Sequence, residues 1–194
     1  MTMNESDYTV CAIDTETSGL DPRLHEVLSL CIMPVNDKFE DLGLTLNLRI
    51  RANNPVDAKA IAINKLDPTV GIAKSEAWKT IREWRRKNLI TKIVPLGHNI
   101  SFDLMFLKTL MPNPTDFQDI FHYRFKDSMI MAQIINDVHF ARKSVKFFNA
   151  VGLEKVSERL GIQNMVAHSA ESDARTSLLC YKKMLGMLAI VEPT

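Results

Sequence analysis

An α/β fold, a mixed β-sheet combining an antiparallel meander with parallel strands and flanked by α-helices, is predicted by two features of the sequence. Three β-rich runs follow one another near its start, and the rest alternates helix-period segments with a further short strand-like run. The size fits: 194 residues, 46% hydrophobic and 24% charged, are enough for one domain of ordinary size to bury a core. We expect a single domain over 1–194 with its core at about 8–188, since no repeat, low-complexity tract or Pro/Gly-rich linker breaks the chain.

The strands come first. Residues 8–13 (YTVCAI), 26–34 (EVLSLCIMP) and 42–50 (LGLTLNLRI) are separated by GLDP and NDKFED, which carry turn residues. In the third run Leu44, Leu46, Leu48 and Ile50 alternate with Thr45, Asn47 and Arg49, the period of a half-buried strand. From 75 to 90 the period changes: Ala77, Trp78, Ile81 and Trp84 recur at helical spacing, with Ser75 as the expected N-cap. This helix is basic, which suits a solvated outer face or a nucleic-acid contact. TKIVPLG then predicts a short strand, and SFDLMFLKTLM a helix ended by PNP. DSMIMAQIIND predicts another helix capped by Asp127 or Ser128, and 144–161 and 171–188 are expected to be helical. This order is that of an RNase H-like fold.

Charge and cysteine usage narrow the function classes. The formal net charge is +1, so phosphate affinity has to come from local patches or bound metal. Cys11, Cys31 and Cys180 are odd in number and far apart, which fits neither a disulfide framework nor a CxxC zinc site and predicts small buried apolar residues in a reducing compartment. The start lacks a basic region leading into an apolar stretch, and no apolar run reaches the ~18 residues of a membrane span. A cytoplasmic location and no membrane partner are expected.

Three short segments carry the chemistry. Asp14 and Glu16 (DTETSGLDP) follow the first strand, and residues two apart on an extended chain share a face, so both carboxylates can touch one hard cation. A capped turn accounts for this segment as well. Asn99 and Asp103 (HNISFDLMFL) are four apart, on one helical face if the helix begins near Ile100, with Phe102 beside them to stack on a base or pack in the core. An acid in a helix's first turn needs no ligand to explain it. His168 and Asp173 (HSAESDARTS) put a base on a loop and an acid on the next helix. An unperturbed imidazole, with a pKa of ~6.5, takes a proton from water near neutral pH. His25, His98, His122 and His139 lack matching acids and are expected to be structural or solvent-facing; Asp127 is explained by helix capping and left out of the metal set.

Taken together, the three segments resemble the DEDDh group of 3′-5′ exonucleases, which includes the proofreading subunits of bacterial polymerases and oligoribonuclease. The order agrees, and His168 lies five residues before Asp173; a tyrosine subclass would have Tyr four residues before it, where this chain has Ser169. KVSERLGI also resembles a helix of that family, whereas 52–74 and 111–126 show little likeness and are where substrate preference is expected to reside. The resemblance implies two Mg²⁺ ions, replaceable by Mn²⁺, with Asp14, Glu16 and Asp173 on one and Asp14 and Asp103 on the other. Such ions lie about 3.5–4 Å apart and stabilise the attacking and leaving oxygens. It further implies that His168 deprotonates the attacking water, Thr17 grips the 3′-hydroxyl, Leu20 and Phe102 pack on terminal bases, and Asn99 supports these contacts. The expected partner is a nucleic acid with a free 3′ end, single-stranded DNA in the first instance, with a polymerase or repair protein as a further partner. An exoribonuclease or oligoribonuclease, and a nuclease-fold module that only binds a polymerase or nucleic acid, are the competing expectations.

Overall fold

The computed structural model describes residues 8–163 and 168–189. Its five strands are β1 (Thr9–Thr17), β2 (Val27–Pro34), β3 (Leu46–Arg49), β4 (Ile93–Gly97) and β5 (Lys126–Asp127). They form one sheet in the order β3-β2-β1-β4-β5, with β2 antiparallel to β1 and β3, and with β1, β4 and β5 parallel. The helices are α1 (Ala58–Asn64), α2 (Lys74–Lys87), α3 (Ile100–Thr109), α4 (Pro114–Ile120), α5 (Ser128–Lys143), α6 (Leu153–Arg159) and α7 (Ala170–Ala189). The predicted meander and mixed sheet are both present.

Strand alternation sorts the core into layers. Cys11 and Ile13 of β1 face one side, packing with Ile100 and Phe106 of α3 and Ala77, Trp78 and Ile81 of α2. Ala12 faces the other, packing with Ala170, Ala174 and Leu178 of α7. A third cluster joins α5, α6 and α7 through Ile135, Val156, Leu160 and Met184. The three cysteines are free and buried, and burial pushes the Cys31 and Cys180 thiols up to about 12, which keeps them as inert apolar filling. Among the described residues no helix is long and apolar enough to cross a membrane.

Several boundaries differ from the sequence pattern, each for a local reason. β1 runs on to Thr17, so Asp14 and Glu16 stand within the strand rather than after it. β3 is shorter than 42–50: Leu48 and Ile50 are buried but Leu44 is 37% exposed, and its carbonyl takes the Trp84 indole N–H at 2.8 Å. Ser75 is not the cap of α2; Ala73 is, because the bridge between Ile50 and Ile72 keeps the chain extended up to that point. Residues 144–152 are not helical. Ser144 ends α5 in the left-handed region (φ 56°), and Asn136 holds both the N–H and the C=O of Phe148, at 2.7 and 3.0 Å, giving that backbone a side-chain partner instead of a helical one. α1 and α4 fall in the two regions where the sequence pattern was weakest; Asp57 caps α1, accepting from the Lys59 N–H.

One residue, Asp127, ties α5 to the start of α3. Asp127 caps α5 through the N–H groups of Met129 and Ile130, and its carboxylate also accepts the N–H groups of Asn99 (3.1 Å) and Ile100 (3.0 Å) at the start of α3. The expected capping role is therefore doubled. Asp127→Ala would leave four N–H groups without this acceptor and is predicted to lower stability by on the order of 2–4 kcal/mol in urea unfolding. A loss under about 0.5 kcal/mol would mean that the clamp contributes nothing.

Candidate active site

Four carboxylates meet around the end of β1, and alternation along the strand explains how. Asp14 and Glu16 continue the even-numbered face begun by Ala12, the face that α7 covers. Asp173 enters from the first turn of α7. One oxygen from each of Asp14, Glu16 and Asp173 lies within 4.8 Å of the others. Asp103 reaches the same strand end from α3, on the opposite side of the sheet. It is buried, and its Oδ1 accepts both the Thr15 N–H (2.8 Å) and the Thr15 hydroxyl (2.7 Å). The strand thus lies between two helices that each bring an acid to its tip, at the point where β1 is flanked by the antiparallel β2 and the parallel β4. Such a switch point outside strand carboxyl ends is where open α/β sheets bind ligands.

Packing this many acids together has an electrostatic cost. Burial, then Asp103, Asp173 and Glu16, push the Asp14 carboxyl well above the usual carboxylate range. Burial and the Asp173 charge raise Glu16 to about 6, although the neighbouring His168 pulls it back. Asp103 is raised to about 7: burial outweighs the two hydrogen bonds from Thr15, which favour its charged form. A divalent cation would relieve this repulsion, and an all-carboxylate donor set suits a hard ion such as Mg²⁺ or Mn²⁺. Among the described residues this is the one place where three ligand-type side chains converge so closely.

His168 stands at the edge of the cluster. It is exposed, with its backbone in the left-handed region (φ 65°), and its N–H donates to Asp173 Oδ2 at 3.0 Å. Asp173 in turn donates its own N–H to Ser169 O at 2.9 Å, which fixes the turn into α7.

The other expected site residues are more dispersed. Thr17 is buried and donates its hydroxyl to Gly19 O (2.7 Å), next to Leu20, which is 77% exposed. Phe102 is half-buried and packs against the core, on Phe106 with ring centroids 4.9 Å apart. Asn99 and Asp103 do not share a helical face. Asn99 is exposed and left-handed (φ 60°), one residue outside the helical ladder, and its side chain takes the Ser101 hydroxyl. His98 is structural: Nε2 meets Val151 O and Nδ1 meets Ser128 Oγ, both at 2.8 Å, and burial lowers its pKa.

Three supports were not legible in the sequence. Thr15 is the partner that seats Asp103. Asn64, buried, donates to Thr17 O (3.0 Å) and accepts from the Leu66 N–H, tying α1 to the strand end where the register slips between Glu16 and Thr17. Glu26, also buried, accepts the N–H groups of Asn53 (2.6 Å) and Asn54 (2.8 Å). Only Asp57 left a signal for this segment, a capping acid before the helix-forming AKAIAIN.

A family model described as an exonuclease, RNase_T, matches residues 11–181. Solved structures with the same fold include Escherichia coli exonuclease I in complex with a dT13 oligonucleotide (16% identity, TM-score 0.75, covering 94% of this chain and 43% of that one). A zinc-bound form of the E. coli exonuclease I–ssDNA complex aligns at 16% identity and a TM-score of 0.76, covering 95% and 42%. A moderately thermophilic exonuclease I from Methylocaldum szegediense aligns at 17% and 0.75, covering 94% and 41%. The chain thus spans less than half the length of these structures. No curated protein sequence matches it.

The raised carboxyls make a pH prediction. A carboxyl whose folded-state pKa exceeds its unfolded value binds its proton more tightly in the native protein. Its contribution to stability is present below the unfolded pKa and lost as pH rises through the folded one. In EDTA the Tm should therefore fall as pH rises through about 6 for Glu16 and about 7 for Asp103, and Mg²⁺ should remove the fall. Scanning calorimetry over that window tests this; a Tm that ignores both pH and Mg²⁺ would contradict it.

Proposed function

The chain belongs to the exonuclease family whose model spans residues 11–181, and from that premise we propose that it is a 3′-5′ exonuclease. It hydrolyses the terminal phosphodiester bond of single-stranded DNA and releases nucleoside 5′-monophosphates. The observation that carries this is the convergence of Asp14, Glu16 and Asp173 within 4.8 Å at the end of β1, with Asp103 seated on Thr15 beside them. Single-stranded DNA is chosen because the fold is shared with exonuclease I structures that hold such strands.

Asp14, Glu16 and Asp173 would hold one divalent ion, and Asp14 with Asp103 a second, Mg²⁺ in both cases with Mn²⁺ as a substitute. When bound, the ions would stabilise negative charge on the attacking and leaving oxygens. The protein's own groups do the rest. His168 takes the proton from a water molecule, whose oxygen attacks phosphorus as the bond to the 3′-oxygen breaks. The shortened strand keeps that oxygen as its new 3′-hydroxyl after protonation by solvent. Asp173 holds the His168 backbone at 3.0 Å, so the base and a metal ligand move as a unit. Leu20 offers an exposed apolar surface to the terminal base, and Thr17 with the backbone around it bounds the place for a 3′ end.

The test is a time course on 5′-labelled single strands of DNA and RNA, with Mg²⁺ or EDTA. Single-nucleotide shortening from the 3′ end in Mg²⁺ alone is expected, faster on DNA; tight binding without cleavage would instead indicate a binding module. His168→Ala should slow turnover by roughly 10²–10⁴-fold and leave divalent-ion affinity unchanged. An unaltered rate would remove His168 from the mechanism. Asp14→Asn should abolish turnover and ion binding together.

A further inference from the structure

A groove of about 910 Å³ runs along α3, outside the carboxylate site, between that helix and the region 111–126, which shows little likeness to the family's motifs. One wall is a stripe of α3, Ser101, Met105 and Lys108, at helical spacing. The other is built from Phe117 of α4 and from Tyr123 and Phe125, which precede β5 at the edge of the sheet. Lys92 closes the far end.

Three observations indicate what it holds. The first is charge: the lining contains two lysines and no carboxylate, in a chain whose net charge is only +1. Arg124 adds a third cation, lying over the Tyr123 ring at 5.6 Å. Burial, then the charges of Arg124 and Lys92, hold the His122 imidazole below its ordinary pKa. The second is aromatic exposure: Tyr123 is 79% and Phe125 44% exposed, beside Met105 at 47%. Exposed rings interleaved with cations suit a strand of bases and phosphates, since every base has a face to stack. No carboxylate in the lining faces the lysine heads, which suits an anionic strand, and Lys108 Nζ lies over the Phe117 ring at 5.2 Å. The third is continuity. The groove includes Ser101, two residues before Asp103 in the first turn of α3, and follows a ten-residue helix about 15 Å long, the length of about four stacked nucleotides.

We propose that this groove is a second subsite, which holds the part of a single strand lying 5′ of the nucleotides at the carboxylate site. Bases stack on Tyr123 and Phe125, and phosphates pair with Lys108 and Lys92. The inference rests on the exonuclease reading for its direction along the strand; its test does not require cleavage. Fluorescence anisotropy in EDTA would measure the binding of DNA and RNA oligonucleotides of about three and about eight nucleotides. The full chain should bind the longer strand at least about tenfold tighter. In Lys108→Glu with Tyr123→Ala, both at exposed positions, most of that gain should vanish and the slope of log Kd against log salt should fall by about one. Phe125→Ala alone should remove a smaller part. Loss in one arm only would assign the groove to that sugar. If the variants keep the full gain with length, or change only self-association in sedimentation, the proposal is overturned. If the wild type shortens no strand in Mg²⁺ yet its length-dependent binding needs these residues, the exonuclease reading fails and the groove stands as a nucleic-acid surface.

Discussion

The structure is organised around the mutual repulsion of four carboxylates at the tip of one strand. Asp14 and Glu16 lie on one side of β1, and Asp173 and Asp103 arrive from helices on opposite faces of the sheet. No arrangement of neutral groups would need such a meeting, and burial makes it costlier by favouring the protonated forms. The cluster is therefore held by packing elsewhere, and a bound cation would complete it electrostatically. That division explains why the core layers on each face, α3 with Ile13 and α7 with Ala12, press against the strand just before its acidic residues.

Positions in the cluster are fixed by hydrogen bonds from neighbours rather than by the acids themselves. Thr15 orients Asp103, and Asn64 ties down the carbonyl of Thr17 just after Glu16. Asp127 restrains the start of α3 from the next strand over. Each of these partners is buried and polar, so each would cost stability if its bonds were lost. A site of this kind is pre-formed: the scaffold bears the strain of the charges before any ligand arrives.

Much of this was legible from residue order alone. Strand alternation and the i, i+2 spacing of Asp14 and Glu16 predicted a shared face, and a mixed sheet followed from three close strands and a later short one. The failures share a cause: they depend on contacts between distant segments. Asn99 looked like a helical neighbour of Asp103 because the left-handed turn before α3, held by Asp127 from 28 residues away, leaves no periodic trace. The stretch after Ser144 looked helical because the Asn136 clamp on Phe148 is invisible locally. Asn64 and Glu26 carry no motif; only the folded chain shows that they hold the loops beside the site.

On this reading the carboxylate cluster binds divalent cations, and without them Asp14, Glu16 and Asp103 hold their protons more tightly than ordinary carboxyls. Calorimetric titration of the metal-free protein with Mg²⁺ or Mn²⁺, repeated near pH 6 in two buffers of different ionisation enthalpy, measures both directly. Saturable binding coupled to proton release, abolished in Asp14→Asn, is the predicted result. Absence of binding, or binding that releases no protons and survives that substitution, would contradict the account.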